Sequence, residues 1–233
     1  MAVSRTSAVF FDVDFTLIHP GPRFQASGYR ETCARYGVTV EPALFDAAVA
    51  GATTVLDSAE HEFDPGVFIA YTARIIELMG GDPEKAEAPA REIYDEWASH
   101  DHFSLYDDVE ETLRVLKARG LELGLISNGH RSLESFQSHF ALDGLISVTV
   151  SSLAHGFMKP HASIFRAALD LAGVPAEEAV MVGDSYPHDI VGAEQVGMRG
   201  VLLVRDGRPG PEESSAPVIR SLTELPRLLT VSD

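Results

Sequence analysis

The sequence predicts an α/β fold, with a parallel β-sheet core and an all-helical domain inserted after the first strand. From residue 104 onward, short apolar runs alternate with stretches of helical period, which is typical of βαβ units around a sheet buried on both faces. Between residues 19 and 103, amphipathic helical stretches follow one another instead. The 233 residues, of which 45% are hydrophobic, suffice for one good core and a smaller second domain. We therefore expect a core of residues 1–18 and 104–233 and a helical domain of residues 19–103.

The core is predicted to contain five strands, because five short and mostly apolar runs end at polar or turn residues. They are Ala8–Asp12, Leu121–Ser127, Leu145–Ser151, Ala179–Asp184 and Gly200–Val204. Helices are predicted between them, most of them ended by a glycine or a proline. They are Val109–Arg119, Leu133–His139, Ala162–Ala172 and Ile190–Val196, with a last short helix near Leu222–Leu229. A capping box, with Asp108 as N-cap and Glu111 three residues later, is predicted for the first of these helices.

The inserted domain is predicted to be a lid over the sheet. Its four helical stretches lie near residues 28–37, 42–51, 66–80 and 83–100. The chain enters the insert directly after the first strand and returns before the second. We therefore expect the helices to cover the edge of the sheet where its strands end.

The charge balance argues against nucleic acid and membrane partners. The chain has 18 Lys and Arg residues against 35 Asp and Glu residues, a net charge of −17, so its surface repels polyanions. A single cysteine, Cys33, cannot form an internal disulfide, and the apolar run near the N-terminus is too short for a signal peptide or a membrane span. These features predict a cytoplasmic protein, with its oligomeric state left open.

Polar residues stand where three predicted strands end: Asp12, Ser127 and Asp184. In a doubly wound sheet, ligands bind at the carboxyl ends of the strands near the point where the strand order reverses. Carboxylates gathered at such a point are costly to desolvate unless a cation compensates them. The sequence therefore predicts a site for a hard divalent cation, Mg²⁺ above all.

Four short motifs, in the order "DVDFT", "ISN", "KP" and "GDSYPHD", resemble the signature motifs of the haloacid dehalogenase-like (HAD) superfamily of phosphatases and phosphotransferases. The resemblance implies a Rossmann-like core, and the helical insert lies where the C1-type caps of that superfamily lie. Two places depart from the pattern: many members have glycine where this chain has Phe15, and relatives usually have Pro-Gly where this chain has Tyr106–Asp107. A large side chain at a position where the backbone must turn puts the geometry of the first motif loop in question.

The resemblance implies a role for each motif residue. Asp12 would be the nucleophile that becomes an aspartyl-phosphate, and Asp14 would protonate the leaving alcohol and then activate water. Ser127, together with the backbone N–H groups of Asn128 and Gly129, would form an anion-binding nest for the phosphoryl oxygens.

The remaining motif residues would hold charge and geometry around these groups. Lys159 would neutralise the phosphate and Asp12. Mg²⁺ would be bound by Asp12, the backbone carbonyl of Asp14 and Asp184. Thr16 would brace the loop through its hydroxyl, and Asp189 would orient Lys159 or a metal-bound water and could also cap the following helix.

The expected function is that of a Mg²⁺-dependent phosphomonoester hydrolase acting on a small phosphorylated metabolite. A 2-haloacid dehalogenase is the first alternative, and Asp14 argues against it, because dehalogenation needs neither a leaving-group acid nor a metal. A phosphomutase would retain the same intermediate. A catalytically inactive relative that binds phosphate or a partner is the non-enzymatic alternative, although every motif residue is present. The leaving group of the substrate is recognised by residues that the motifs do not include.

Overall fold

The computed structural model describes residues 5–57, 61–205 and 215–229. The chain divides into two compact units. The sheet unit comprises Met1–His19 and Leu105–Asp233, and the helical unit comprises Pro20–Ser104. Two short strands, Ile18–Pro20 (β2) and Phe103–Leu105 (β3), pair with each other where the chain passes from one unit to the other.

The sheet unit is built on a six-stranded sheet with parallel pairing throughout, so the predicted fold class is confirmed. Its strands are Ala8–Phe11 (β1), Glu122–Ser127 (β4), Val148–Ser151 (β5), Ala179–Gly183 (β6), Arg199–Leu203 (β7) and Val218–Ile219 (β8). The order across the sheet is β5-β4-β1-β6-β7-β8. The strand order therefore reverses around β1, which lies between β4 and β6. The two-residue edge strand β8 was not predicted, because it is too short to show a periodicity.

The sheet unit also contains helices. Their bounds are Val109–Ala118 (α5), Leu133–His139 (α6), Ser152–His155 (α7), Ala162–Ala172 (α8), Gly192–Gln195 (α9) and Leu225–Leu228 (α10). The face of α8 that contains Ile164 and Phe165 is buried in one core with Phe10 and Met181 of the central strands. The helix ends where predicted because Gly173 adopts a left-handed conformation, with φ +66°, that has no steric cost for glycine.

The predicted capping box at the start of α5 is wrong. Asp108 makes no cap hydrogen bond, because its carboxylate instead accepts from Arg205, Ser221 and the backbone N–H of Leu222. A capping box is present at another place, where Ser221 caps the 3₁₀ turn Leu222–Glu224 and the Glu224 side chain accepts from the Ser221 N–H. Long-range partners therefore outcompeted the local cap of α5.

The helix predicted at Ile190–Val196 begins earlier and in a different form. A π-helix spans Tyr186–Val191 and is followed directly by α9. Ser185 is its N-cap and accepts the His188 N–H through its hydroxyl, so the prediction that Asp189 caps a helix is wrong. π-helical turns occur frequently at functional sites.

The helical unit contains Ala26–Arg35 (α1), Phe45–Asp57 (α2), Pro65–Leu78 (α3) and Glu87–Trp97 (α4). Helix α3 packs against α2 and α4, and α1 packs against α4. Phe24, Trp97 and Phe103 form an aromatic cluster with ring centroids 4.6 to 5.2 Å apart. The unit is thus helical, as its amphipathic pattern predicts, and its role as a lid stays a prediction.

The last predicted helix, near Leu222–Leu229, is confirmed as the 3₁₀ turn followed by α10. Residues 206–214, which are most of the Pro-, Gly- and Ser-rich stretch before it, lie outside the described residues. Within the described part of the chain, no helix combines the length and the apolarity that crossing a membrane requires.

Candidate active site

The ends of the three central strands bring the first predicted site residues to one edge of the sheet. Asp12 follows β1, Ser127 ends β4 and Asp184 follows β6, and these strands are neighbours. The Asp12 N–H donates to the Val182 carbonyl at 2.9 Å, so the parallel pairing continues to the first aspartate. The site therefore lies at the reversal point of the strand order, where doubly wound sheets bind ligands.

Lys159 is the buried cation of this site. Its ammonium lies 2.6 Å from Asp12 Oδ1 and 2.7 Å from Asp189 Oδ1, and it donates to the Ile126 carbonyl at 2.8 Å. The Asn128 side chain holds the Lys159 backbone from both sides, because its Oδ1 accepts the Lys159 N–H at 2.7 Å and its Nδ2 donates to the Lys159 carbonyl at 2.9 Å. Asn128 therefore links the second motif to the third.

Asp189 occupies the space that a side chain at position 183 would fill. A Cβ atom on Gly183 would lie 2.1 Å from Asp189 Oδ2, and the same oxygen accepts the Ser185 N–H at 3.0 Å. Only glycine at the end of β6 allows this approach. With Lys159 on its other oxygen, the Asp189 carboxylate is engaged on both sides, and its role of orienting Lys159 or a metal-bound water stays a prediction.

The carboxylates around Lys159 carry more negative charge than the lysine can neutralise. Burial raises the pKa of Asp12 to about 6, although Lys159 opposes the shift, and the Asp189 charge raises this pKa further. Asp184 is the exposed member of this cluster, and neighbouring protein atoms still desolvate its carboxyl group in part. This desolvation and the charges of Asp12 and Asp189 raise its pKa well above the ordinary value. Burial alone would lower the pKa of Lys159, and the two carboxylates outweigh it and raise that pKa.

This excess of negative charge fits a divalent cation. Oxygens of Asp12, Asp184 and Asp189 lie within 4.8 Å of one another. Oxygen donors of this kind suit Mg²⁺, which is bound in proteins through one or two carboxylates. Because Lys159 and the Ser185 N–H already engage Asp189, the residues that fit the ion as direct ligands are Asp12 and Asp184.

Asp14 has a cation of its own, Arg131, which the sequence analysis did not single out. Arg131 Nη1 lies 3.0 Å from Asp14 Oδ1, and the arginine side chain is 3% exposed. Burial raises the pKa of Asp14, Arg131 opposes the shift, and the Asp12 charge adds to it. The only signal in the sequence was an arginine four residues after Ser127 in a loop that follows a buried strand.

The first motif loop turns at Phe15, the position where the resemblance noted in the sequence leads one to expect glycine. Phe15 adopts φ +65°, a left-handed conformation that costs a bulky residue roughly 1 kcal/mol or more. Its N–H donates to the Ile18 carbonyl at 2.7 Å, and the Leu17 N–H donates to the Val13 carbonyl at 2.9 Å. The phenylalanine therefore does not prevent the turn, and the residue is 45% exposed.

Thr16 braces this loop through a different atom than predicted. Its carbonyl accepts from Arg205 Nη2 at 2.8 Å, whereas its buried hydroxyl finds no hydrogen-bond partner among the described residues. Arg205 in turn pairs with both oxygens of Asp108 at 2.9 and 3.0 Å and stacks on the Tyr106 ring at 3.7 Å. The Asp108 carboxylate, which does not form the predicted cap, thus helps to fix the loop that carries Asp14.

The predicted phosphate nest is smaller than expected. The Gly129 N–H donates to Ser152 Oγ at 2.9 Å, so it is occupied within the protein. Ser127 lies at the buried end of β4. The phosphate-binding roles of the Ser127 hydroxyl and the Asn128 N–H stay predictions.

Comparison with known proteins connects this geometry to one family. Residues 6–197 match the family model described as haloacid dehalogenase-like hydrolase. Human "Haloacid dehalogenase-like hydrolase domain-containing protein 3" is 30% identical over 224 residues, which are 90% of this chain and 84% of that protein. The matches to the proteins of the same name from Xenopus laevis, Danio rerio and Bos taurus span only 50, 62 and 60% of their length.

A named phosphatase is among the relatives as well. "Phosphoserine phosphatase" of Thermus thermophilus is 37% identical over 147 residues, 60% of this chain and 55% of that protein.

Solved structures share the fold of the whole chain. The putative HAD-hydrolase YfnB from Bacillus subtilis, described as bound to magnesium, superimposes with a TM-score of 0.76 over 98% of this chain and 100% of its own, at 19% identity. The structure described as "2-Haloacid Dehalogenase" from Pseudomonas syringae has a TM-score of 0.64 over 96% of this chain and 97% of its own, at 26% identity. The fold alone therefore does not separate phosphatases from dehalogenases.

Proposed function

Because the chain belongs to the haloacid dehalogenase-like hydrolase family, we propose that it is a Mg²⁺-dependent phosphomonoester hydrolase acting through an aspartyl-phosphate on Asp12. The observation that carries the proposal is the second carboxylate, Asp14, two residues after the nucleophile. Burial raises its pKa, which favours a group that can hold a proton for the leaving alcohol. Burial raises the pKa of Asp12 as well, so the two carboxylates are distinguished by the cations that they contact, Lys159 for Asp12 and Arg131 for Asp14.

In the first half of the reaction, Asp12 attacks phosphorus while the bond to the ester oxygen breaks. The electron pair of that bond goes to the oxygen, and Asp14 supplies its proton, so an alcohol leaves. Lys159, held by Asp189 and the Ile126 carbonyl, stabilises the charge on Asp12 and on the phosphoryl oxygens.

In the second half, Asp14 takes a proton from water, the water oxygen attacks phosphorus, and the bond to Asp12 breaks to release phosphate. Mg²⁺ held by Asp12, the Asp14 carbonyl and Asp184 would neutralise charge on the transferring phosphoryl group.

The proposal discriminates against the alternatives to different degrees. A haloacid dehalogenase has no use for the acid at position 14, since a halide leaves without a proton. A phosphomutase would use the same residues and return the phosphoryl group to a second alcohol, so kinetics must separate the two. The retained set of Asp12, Asp14, Lys159 and Asp184 argues against an inactive binding module. Three further statements stay proposals. The substrate is a small phosphorylated metabolite, which the phosphatase relatives support. The helical unit is a cap, and the protein is cytoplasmic.

The test is a phosphatase assay on the full chain with p-nitrophenyl phosphate and a panel of phosphorylated metabolites. Asp12→Asn preserves the shape of the side chain, so we expect a folded protein with less than about a hundredth of the wild-type rate, because an amide does not attack phosphorus. Asp143→Asn, on the exposed surface, is the matched control and should keep the wild-type rate. Activity that survives exhaustive chelation, or release of halide from 2-chloropropionate without phosphatase activity, would overturn the proposal.

A further inference from the structure

We propose that Arg131 is a positioning residue for Asp14, which fixes the carboxyl group so that its Oδ2 oxygen carries the catalytic proton. The inference rests on the proposed function, because it assigns a partner to the acid of that reaction. It concerns a residue outside the motif strings that carry the resemblance, and it starts from the 3.0 Å pair between Arg131 Nη1 and Asp14 Oδ1.

The burial of Arg131 makes this pair a built feature and not a surface contact. The arginine side chain is 3% exposed, and Asp14 is 20% exposed. A guanidinium removed from water is costly unless it is paired and hydrogen-bonded, and the loss of one partner of such a pair leaves an uncompensated charge.

The backbone on both sides of Arg131 is anchored. The Gly129 N–H donates to Ser152 Oγ at 2.9 Å, and Ser132 caps α6 by accepting the Ser135 N–H at 3.2 Å. The loop from β4 to α6 is thus held at both ends, and the side chain at position 131 reaches back to the first motif loop from a fixed base.

The chemistry of arginine decides which oxygen of Asp14 carries the proton. A guanidinium donates hydrogen bonds, accepts none and stays protonated in proteins. The oxygen facing it, Oδ1, is therefore kept as an acceptor, and a proton on the carboxyl group resides on Oδ2. Since the described contact joins Arg131 Nη1 to Oδ1, we assign Oδ2 to the leaving group and, later, to water.

The two catalytic carboxylates are thereby in direct contact with different cations. The contacts of the Lys159 ammonium are Asp12, Asp189 and the Ile126 carbonyl, whereas Arg131 contacts Asp14. Lys159 neutralises the nucleophile, and Arg131 orients the acid. Fixing the acid before the reaction removes the entropic cost of finding its orientation in the transition state.

Loss of Arg131 should therefore act through leaving-group protonation. We would compare single-turnover phosphorylation of the enzyme by p-nitrophenyl phosphate, whose leaving group hardly needs a proton, with that by phenyl phosphate. General acid catalysis contributes about 10²–10⁴-fold, so we expect Arg131→Met to slow the phenyl phosphate reaction at least roughly tenfold more than the p-nitrophenyl phosphate reaction. Arg131→Lys keeps the charge and should recover part of the lost ratio. Arg114→Met, which removes an exposed arginine of the same unit, should leave both rates unchanged.

Asp14→Asn separates failure of this inference from failure of the proposed function. That variant should show the same leaving-group preference, and adding Arg131→Met to it should cause no further change in the ratio. If Asp14→Asn shows the preference and Arg131→Met slows both substrates equally, Arg131 is only structural, and the inference fails while the acid stands. If Asp14→Asn slows both substrates equally, the acid role of Asp14 and the inference fall together.

A second readout follows the phosphoenzyme directly. Because Asp14 also activates water, Arg131→Met should accumulate phosphate on Asp12 with p-nitrophenyl phosphate, measured by intact mass spectrometry after acid quench. A variant that turns over p-nitrophenyl phosphate near the wild-type rate without accumulating phosphoenzyme would contradict the inference.

Discussion

Two clusters of charged residues, one in each unit, place a cation between two carboxylates in different surroundings. In the sheet unit, Lys159 lies between Asp12 and Asp189, with side chains that are 2, 11 and 2% exposed. In the helical unit, Arg23 lies between Glu92 and Glu96, with side chains that are 16, 25 and 32% exposed. We call them the lysine network and the arginine network.

The comparison shows how burial changes what the same kind of contact does. The pKa of Asp12 is raised in the lysine network because desolvation outweighs the attraction of Lys159. Desolvation also raises the pKa of Glu92 in the arginine network, but hydrogen bonds from Tyr36 and Arg35 and the neighbouring charges together outweigh it, so that this pKa is lowered. The lysine network therefore keeps carboxylates desolvated at the candidate active site. The arginine network joins the start of the helical unit to α4.

The largest expected effect is the removal of the buried cation. Lys159→Met leaves Asp12 and Asp189 unpaired in a buried site, so we expect the free energy of unfolding at pH 7 to fall by about 3–5 kcal/mol. Urea unfolding monitored by circular dichroism measures it in chelated buffer. Lys117→Met, at a more exposed lysine of the sheet unit, is the control and should change stability by less than about 1 kcal/mol. A loss for Lys159→Met no larger than that of the control would remove the distinction between the networks.

The second effect is a dependence of stability on pH in the metal-free protein. An acid whose pKa is higher in the folded than in the unfolded state binds more protons when folded, so stability falls as pH rises between the two values. Asp12 moves from 3.8 to about 6, and Asp184 moves in the same direction. We expect the protein to be roughly 2 kcal/mol less stable at pH 7.5 than at pH 4.5 from Asp12 alone.

Asp12→Asn isolates that contribution, because an amide does not titrate. The difference in stability between the wild type and this variant should change across this pH range, and a constant difference would contradict the raised pKa of Asp12.

In the arginine network, the stability contributed by Glu92 should instead increase as the pH rises, and at lower pH than for Asp12. Since the pKa of Glu92 is lowered on folding, its stabilisation is present above pH 4.5 and is lost as pH falls through the folded value.

A smaller effect is expected when the cation of the arginine network is removed. Arg23→Met keeps an apolar chain of similar length but loses the contacts to Glu92, Glu96 and Thr32 Oγ1. Because water reaches the carboxylates that remain, we expect a loss of about 1 kcal/mol in the free energy of unfolding. Urea unfolding under the same conditions as for Lys159→Met gives the comparison, and a loss above about 3 kcal/mol would mean that this network behaves as a buried one.

The smallest expected effect is a difference in salt dependence. Partly exposed ion pairs are screened by salt, and buried pairs are screened much less. Raising NaCl from about 0.05 to about 1 M should reduce the stability difference between the wild type and Arg23→Met by a few tenths of a kcal/mol. The difference between the wild type and Lys159→Met should stay constant. Equal screening of the two differences would show that solvent reaches Lys159.

Local sequence patterns predicted much of the fold, in several elements to within a residue. The strands preceding Asp12 and Asp184 are readable because continuous apolar runs are needed to fill both faces of a parallel sheet. Helix α8 is readable at both ends, since the apolar period begins at Ala162 and the left-handed Gly173 ends it. Wherever the deciding interaction spans only a few residues, as in these elements, the pattern and the structure agree.

The predictions that failed are those in which a distant partner competed with a local one. Asp108 lies next to the helix it was expected to cap, yet it pairs with Arg205, 97 residues further along the chain. The Gly129 N–H was expected to face a phosphate and instead binds Ser152.

By itself the sequence determined the parallel sheet, the helical insert and the gathering of Asp12, Ser127 and Asp184 at one edge, because these follow from hydrophobic periodicity and from the direction of parallel strands. Tertiary structure alone decided which cation serves which carboxylate. Arg131 reaches Asp14 across 117 positions, and Lys159 reaches Asp12 across 147. Such pairs depend on where whole segments meet in space, and the stabilisation of a buried charge depends on the groups it meets there, which no local pattern encodes.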